Sequence, residues 1–244
     1  MTFDQAEFDV RLEWGENGVR ELAPISDAII IVDVMSFSTA VVIAAARGGL
    51  VYPYRFKDDT AVAYADSIGA ELAGARGKAK YSLSPVSLMS LPAGTRLVLP
   101  SPNGSTLSLA TGDTPTFAGT LRNSRAVAAA ASRTGERVSV VACGERWKTD
   151  GSLRPAFEDL IGAGAIIRHL PGRLSPEARA AVAAFRAVES ELPEALTQCS
   201  SGKELIAMGF GRDIAPTAEL DVDDCVPVLI DGAYRKRNGP DECE

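Results

Sequence analysis

The segment from Ala28 to Val34 constrains the fold of this chain more than any other. Its sequence, AIIIVDV, is a nearly continuous run of apolar, mostly β-branched residues, which is typical of a strand buried on both faces of a sheet. The run closes on Asp33, a carboxylate in a nearly buried position. Burial of a carboxylate is unfavourable unless a metal ion, an arginine or backbone N–H groups compensate for it. The segment therefore predicts both a central strand and a functional carboxylate.

The segments that follow alternate between strands and helices. Hydroxyl residues before residue 40 and two glycines at 48–49 delimit a helix over 40–47. A strand over 50–54 and a helix over 58–68 come next, and this order indicates a mainly parallel sheet with helices on its faces. In the same way we expect strands over 95–99, 116–118, 137–142 and 226–230, and helices over 123–132, 155–170 and within 175–210.

Three further stretches have distinctive local compositions. Residues 74–94 are rich in Gly, Ser and Pro and are expected to form a long loop of the kind that is usually functional or mobile. Pro227 predicts that the last strand lies at an edge of the sheet, and the charged residues 235–244 predict a frayed end. The 244 residues fit one unit over 1–244, with two α/β halves meeting near residue 125 as the alternative.

Composition and charge exclude several classes of protein. The net charge of −7 argues against a broadly basic nucleic-acid binder, and residues 212–244 carry nine acids and four bases of the total. His169 is the one histidine, so mechanisms and metal sites that need two histidines are excluded. The longest apolar run, Ala40–Ala46, is too short to span a bilayer. We therefore expect a soluble protein without a membrane partner.

The cysteine spacing and the missing sequence motifs narrow the chemistry further. None of the four cysteines forms a C-x-x-C pair, and free thiols in a reducing cytoplasm are expected. Gly77-Lys78 and Gly202-Lys203 lack the hydroxyl residue of a P-loop, and Gly162-x-Gly164 lacks the third glycine of a dinucleotide-binding turn. Any phosphate chemistry must come from residues outside these motifs.

Polar residues at three strand ends form the remaining candidate site, because carboxyl ends of strands in open α/β sheets converge on a ligand crevice. The start of a predicted helix adds two adjacent acidic residues to this candidate site. The strand-end candidates are Asp33 with Ser36, Ser38 and Thr39, then Asn103-Gly104-Ser105, then Cys143-Gly144, and the helix contributes Glu158 and Asp159. The hydroxyl residues after Asp33 open a helix, and the N–H groups of such a helix start suit a phosphate.

Each candidate also has an ordinary structural explanation. Asp33 either caps the next helix or serves as a Mg²⁺ ligand or catalytic carboxylate. Asn103-Gly104 is either a common tight turn or a place where the backbone approaches a ligand while the amide holds an oxygen. Glu158-Asp159 either complements the helix dipole or faces the site. Cys143 is either inert packing or a chemical group.

Taken in order, several segments resemble the 2-phosphosulfolactate phosphatase family, also called ComB-like. The resemblance rests on their order and spacing over nearly the whole chain rather than on any single segment. The matching segments are Val32-Asp33-Val34, Ser101-Pro102-Asn103-Gly104-Ser105, Asn123-Ser124-Arg125, Val141-Ala142-Cys143-Gly144, Phe157-Glu158-Asp159-Leu160, Ser201-Gly202-Lys203-Glu204-Leu205 and Leu220-Asp221-Val222.

This resemblance implies a three-layer α/β/α fold around a mainly parallel or mixed sheet. It also implies a Mg²⁺-dependent phosphatase that removes phosphate from 2-phospho-3-sulfolactate, a small anionic phosphate ester. The residues expected to be catalytic are Asp33, Cys143 and Glu158, and those expected to hold the metal are Asp33, Glu158 and Asp159. The expected substrate-binding residues are Ser36, Ser38, Thr39, Asn103, Gly104, Ser105, Asn123 and Gly144.

The chain departs from the family pattern at several positions. Ser36 stands where family members have Arg, and Ala75 stands where they have Glu. Loss of an Arg removes a bidentate anion contact that Ser cannot replace, and the candidates to compensate are Arg76, Arg122, Arg125 and Arg146. A non-catalytic protein that binds a small anion on the same scaffold is therefore the alternative function. The sequence does not decide whether Asp33 acts as ligand, nucleophile or base. A homodimer is a further expectation.

Overall fold

The structure, a computed structural model, describes residues 3–237. Its strands are β1 (Val10–Trp14), β2 (Ala28–Val32), β3 (Leu50–Tyr54), β4 (Glu71–Leu72), β5 (Arg96–Pro100), β6 (Thr116–Gly119), β7 (Val138–Ala142), β8 (Glu145–Arg146), β9 (Leu153–Arg154), β10 (Pro227–Ile230) and β11 (Ala233–Lys236). Its α-helices are α1 (Gly15–Leu22), α2 (Phe37–Ala46), α3 (Asp59–Ser67), α4 (Pro85–Leu88), α5 (Gly104–Ser108), α6 (Ser124–Ser132), α7 (Phe157–Ile167), α8 (Pro176–Val188), α9 (Leu192–Gln198), α10 (Ser200–Ala207) and α11 (Ile214–Ala218). Short 3₁₀ turns lie at Ala23–Ile25, Leu121–Asn123, Glu189–Glu191 and Gly211–Asp213.

The large sheet is mixed, with the strand order β1-β7-β2-β6-β10-β11-β3-β5-β4. Strands β1, β7, β2 and β6 are parallel to one another, and so are β3, β5 and β4. The hairpin β10–β11 lies between these two blocks and pairs antiparallel with both. Helices cover both sides of the sheet, which confirms the expected three-layer α/β/α fold with a mixed sheet.

Strand β2 is buried on both faces, as its sequence predicts. Ile30 and Val32 belong to one core cluster with residues of α6, α7 and α8, whereas Ile29 and Ile31 pack in another with residues of α1. The strand ends at Val32 instead of Val34. Asp33 is therefore placed just beyond the hydrogen-bonded ladder, at the point where the chain turns into α2.

The two parallel blocks run in opposite senses because three antiparallel pairings separate β6 from β3. The carboxyl ends of β1, β7, β2 and β6 therefore lie at one edge of the sheet, as expected, and those of β3, β5 and β4 point to the other edge. The two blocks nevertheless come together beyond their strands, because Asn103, which follows β5, donates its Nδ2 hydrogen to Glu145 Oε2, after β7, at 3.0 Å.

The structure contradicts two expectations about the last strands. Strand β10 lies inside the sheet between β6 and β11, so the edge position predicted from Pro227 is wrong. The missing N–H of Pro227 is tolerated because it is the first residue of its strand. Residues 235–236 belong to β11 rather than to a frayed end, and residues 238–244 lie outside the described part of the chain.

The described residues also bear on chain organisation. Strands from before and after residue 125 are hydrogen-bonded neighbours, as β2 and β7 are, and the division into two halves stays a prediction. None of the helices within residues 3–237 has the length and apolar character that crossing a membrane requires.

Candidate active site

Four carboxylates gather at the ends of β2 and β7 and the start of α7. Asp33 follows β2, Glu145 begins the short strand after β7, and Glu158 and Asp159 lie in the first turn of α7. Asp33, Glu158 and Asp159 are all nearly inaccessible to solvent. Glu145 and Glu158 lie close enough to Asp33 for their charges to raise the pKa of Asp33. We call these four residues the carboxylate cluster.

Asp33 has a fully buried oxygen that is not hydrogen-bonded to any described residue. Its Oδ2 atom is buried and has no hydrogen-bond partner within residues 3–237. Burial raises the pKa of Asp33 to about 7, the charges of Glu145 and Glu158 add to the effect, and the backbone N–H of Phe37 and the charge of Arg76 oppose it. A buried carboxyl that titrates near neutral pH beside other charges is a common property of functional sites.

Asp159 clamps the ends of β2 and β7 together. Its Oδ1 accepts the backbone N–H of Val34 and its Oδ2 accepts the backbone N–H of Gly144, both at 2.8 Å. Burial raises the pKa of Asp159 well above its ordinary value, and the charge of Asp33 contributes. Because both oxygens are engaged by the backbone, the geometry favours a positioning role for Asp159 over the metal-binding role that the sequence suggested.

Glu145 is a site residue that the sequence analysis missed. Asn103 Nδ2 donates to its Oε2, which places the predicted Asn103 directly at the cluster. Burial raises the pKa of Glu145 first, and the charge of Glu158 raises it further. Glu145 follows Gly144, whose φ of +65° redirects the chain after β7. The strand-end argument that selected Cys143 and Gly144 would have found Glu145 one residue later.

Three predicted phosphate-binding hydroxyls instead support the backbone. Ser38 Oγ donates to the carbonyl of Ile31 and accepts the N–H of Asp33. Thr39 Oγ1 donates to the Val34 carbonyl and Ser105 Oγ to the Leu99 carbonyl. Ser38, Thr39 and Ser105 have no solvent-exposed surface. Their hydroxyl groups therefore fix the strand-end loops, and a role for these three residues in binding a substrate stays a prediction.

Asn123 and Gly104 also have structural explanations. The Asn123 side chain accepts the N–H of Thr120 and donates to the carbonyl oxygens of Ala118 and Cys225, so both amide hydrogens are used. A Cβ atom on Gly104 would lie 2.2 Å from the ring of Phe37. Gly104 is thus needed for helix packing, and the structure shows no role for either residue in binding a substrate.

The environment of Cys143 keeps its thiol protonated. Cys143 is 2% exposed, and burial, followed by the charges of Asp33 and Asp159, raises its pKa well above the ordinary value. The nucleophilic form of cysteine is the thiolate. The structure therefore argues against the catalytic role expected for Cys143 and favours inert packing.

A guanidinium occupies the surroundings of Ser36, where family members carry Arg. Arg76 Nη2 donates to Ser36 Oγ at 2.9 Å and to the Met35 carbonyl at 3.0 Å. Arg76 Nη1 pairs with Asp213 at 2.5 Å, and the other Asp213 oxygen accepts the hydroxyl of Ser84. A buried carboxylate from a distant part of the chain thus holds Arg76 beside Met35 and Ser36, two and three residues after Asp33.

The other three arginines considered for this role are engaged with other groups. Arg122 binds Glu219 and Asp223. Arg125 lies 3.6 Å from an Asp221 oxygen, and Arg146 Nη1 donates to the carbonyl of residue 151. Of the four, Arg76 is the one that contacts Ser36, and its compensation for the missing arginine stays a prediction.

Two cavities are lined by residues that interact with the carboxylate cluster. One has a volume of about 630 Å³ and is lined by Lys57 and Arg76 together with apolar residues such as Leu72. The other has a volume of about 890 Å³ and is lined by Asn103 and Glu145 together with the 146–149 segment. Cationic side chains are therefore available in both directions from the carboxylates.

The donor atoms of the cluster suit a magnesium ion. Mg²⁺ is usually bound by one or two carboxylates and completes its octahedron with waters and substrate phosphate oxygens. Asp33 offers an unpartnered oxygen, and Glu145 and Glu158 crowd it with negative charge. Within residues 3–237, no three His, Cys, Asp or Glu side chains form a closed metal cage. The arrangement fits an ion that relies on substrate and water for most of its ligands.

Comparison with known proteins gives a consistent family match. The family model for 2-phosphosulpholactate phosphatase matches residues 18–232. A probable 2-phosphosulfolactate phosphatase from Carboxydothermus hydrogenoformans is 32% identical over 209 residues, which cover 82% of this chain and 85% of that protein. A 2-phosphosulfolactate phosphatase from Methanothermobacter thermautotrophicus is 32% identical over 139 residues, which cover 57% of this chain and 58% of that protein.

Proposed function

Because this chain belongs to the 2-phosphosulfolactate phosphatase family, we propose that it hydrolyses 2-phospho-3-sulfolactate to 3-sulfolactate and phosphate with the help of Mg²⁺. One observation carries the proposal: Asp33 presents a buried, unpartnered oxygen within a cluster of carboxylates. Arg76, held beside Ser36, supplies a fixed positive charge near this oxygen.

Asp33 would be the protein ligand of the ion, and Glu145 and Glu158 would attract it through their nearby negative charges, since no three acidic, histidine or cysteine side chains of residues 3–237 are arranged to hold a metal by themselves. When bound, Mg²⁺ neutralises charge on the phosphoryl oxygens as the ester bond breaks. Asn103 orients Glu145 through the amide hydrogen bond at 3.0 Å. Asp159 keeps the ends of β2 and β7 at a fixed separation, because it binds a backbone N–H from each.

Arg76 would act on the substrate, and Asp33 would hold the ion. The Nη2 hydrogens of Arg76 are used by Ser36 and two carbonyl oxygens, and Nη1 pairs with Asp213, so Arg76 offers the phosphate a fixed positive charge rather than a free bidentate fork. Without the ion, burial raises the pKa of Asp33 to about 7. Binding of Mg²⁺ to its Oδ2 would therefore release a proton near neutral pH, because a carboxyl group binds a metal in its ionised form.

The free thiols and the net charge bear on the expected location and partners of the protein. Cys143, Cys199 and Cys225 form no disulfides among the described residues, which supports a reducing, cytoplasmic location. The net charge of −7 supports a partner other than nucleic acid. A homodimer stays a prediction.

Phosphate release from 2-phospho-3-sulfolactate, measured with Mg²⁺ and with a chelator, tests the proposal. We expect release only with the metal, and we expect Asp33→Asn to lower kcat/KM by about 100-fold or more. Asp113→Asn, at an exposed position, is the matched control and should keep wild-type activity. Equal rates for Asp33→Asn and wild type would contradict the role of Asp33. Ligand binding by the wild type without turnover would favour the alternative, a non-catalytic protein that binds a small anion.

A further inference from the structure

Lys57 is a cation without a partner beside the proposed active site. Within residues 3–237 its side chain forms neither a hydrogen bond nor an ion pair, and its interactions are electrostatic ones with Arg76, Asp33 and Glu145. It lies in the loop between β3 and α3 and lines the 630 Å³ cavity together with Arg76. The other cations near the cluster are engaged, since Arg76 pairs with Asp213 and Lys148 with Glu204.

Lys57 is exposed at the mouth of the cavity and has no counter-ion of its own among the described residues. Partial loss of solvent lowers the pKa of Lys57, and the like charge of Arg76 lowers it further, while Asp33 and Glu145 oppose this change. Asp58 also lines the cavity, but its carboxylate accepts the N–H and the hydroxyl of Thr60 at the start of α3. Asp59, a further acid in the lining, lies in the first turn of that helix. Since Arg76 is already paired with Asp213, an anionic group in the cavity would form its ion pair with Lys57.

We propose, building on the phosphatase function above, that the 630 Å³ cavity receives the sulfonate end of the substrate and that Lys57 is the residue that binds it. The phosphate then lies at the carboxylate cluster beside Arg76. The volume of the cavity admits the sulfonate, which is bulkier than the carboxylate of the same molecule. An ammonium group, a compact charge with three donors on a flexible stem, can donate hydrogen bonds to the three oxygens of a sulfonate.

Three phosphate esters separate the groups that Lys57 could contact. The first is 2-phospho-3-sulfolactate. The second, 2-phospholactate, keeps the carboxylate and lacks the sulfonate, and the third, the phosphate ester of 2-hydroxyethanesulfonate, keeps the sulfonate and lacks the carboxylate. Each is assayed with the wild type, Lys57→Met, Lys57→Arg and Lys78→Met. Lys78 is an exposed residue of the 74–94 segment that does not line the cavity, so its variant controls for the loss of one positive charge.

We expect Lys57→Met to lower kcat/KM on both sulfonates by about 10-fold to 100-fold, mainly through KM, because a hydrogen bond between charged groups is lost. The loss on 2-phospholactate should stay below about threefold, as should every effect of Lys78→Met. Lys57→Arg should recover most of the activity. An equal loss on all three esters, no loss, or a loss confined to 2-phospholactate would overturn the assignment.

A binding measurement separates failure of this inference from failure of the phosphatase function. If the wild type hydrolyses none of the esters, the phosphatase function fails, and calorimetric titration with 3-sulfolactate and with lactate then tests the cavity directly. Binding of 3-sulfolactate that is weakened about 10-fold or more by Lys57→Met, without a matching effect on lactate, supports the inference. Equal binding by the wild type and Lys57→Met overturns it.

Discussion

Replacement of Asp33 by Asn should stabilise the protein at neutral and alkaline pH while it abolishes activity. Asn has nearly the same shape and keeps an oxygen for the N–H of Phe37, and its amide hydrogens can bond to the carboxylates that now repel Asp33. Burial and these carboxylates raise the pKa of Asp33 from 3.8 to about 7. The folded state therefore binds a proton at Asp33 over a pH range in which the unfolded chain has released it.

The sign of the effect follows from this difference in proton binding. Between about pH 4 and pH 7 the unfolded chain binds fewer protons than the folded chain, so the free energy of unfolding falls as the pH rises. Above pH 7 both states are ionised at this position and the penalty is constant, with a ceiling of about 4 kcal/mol. Since the Asn amide must also be buried, we expect a realised gain of about 2 kcal/mol, or about 4–8 °C in Tm.

The assay is thermal unfolding of the wild type and Asp33→Asn in chelator between pH 4 and pH 8. The difference in Tm should be small at pH 4, grow up to pH 7 and then level off. Asp113→Asn, with an exposed carboxyl, should show no such growth. A difference that does not depend on pH, or an Asp33→Asn protein that is less stable than the wild type at pH 8, would refute the argument that Asp33 is a strained, desolvated acid.

Two further substitutions test the assignments within the same region. Asp159→Asn should lower the free energy of unfolding by about 2–4 kcal/mol in urea titrations, because an amide NH₂ would face the N–H of Val34 or of Gly144; unchanged stability would contradict the clamp. Cys143→Ala should keep initial rates of phosphate release within about threefold of wild type, because a protonated, buried thiol is not a nucleophile; a loss above about 100-fold would restore a catalytic role to the thiol.

The sequence predicted the centre of the fold and the central residue of the site. The apolar run at 28–34 indicated a strand buried on both faces, and Asp33 stood out because it closes that run. The position of β10 could not be predicted in this way. It depends on pairing with β6, more than a hundred residues earlier, as between Val228 and Phe117. Local composition does not identify such a distant partner.

The predicted substrate-binding residues show a different limit. Ser38 and Thr39 have the composition of a phosphate-binding helix start, yet their hydroxyls bond to the backbone around β2. A sequence does not distinguish binding of a phosphate from hydrogen bonding to the backbone, because serine and threonine are common at helix starts in both roles. Lys57 escaped notice because its importance comes from neighbours that only the folded chain provides, whereas Glu145 lies one residue beyond the strand end that the sequence did single out.

The hairpin β10–β11 has a consequence for the order of events during synthesis. Both parallel blocks are synthesised well before residues 227–236, yet in the sheet of the described residues their strands are joined only through this hairpin, which pairs with β6 on one side and β3 on the other. Until it emerges, the inner borders of both blocks are open strand edges, which in general attract other chains. Tyr234, which packs against Phe37 and hydrogen-bonds Ser108, then closes the gap, so the nascent chain depends on protection of these edges until its last strands arrive.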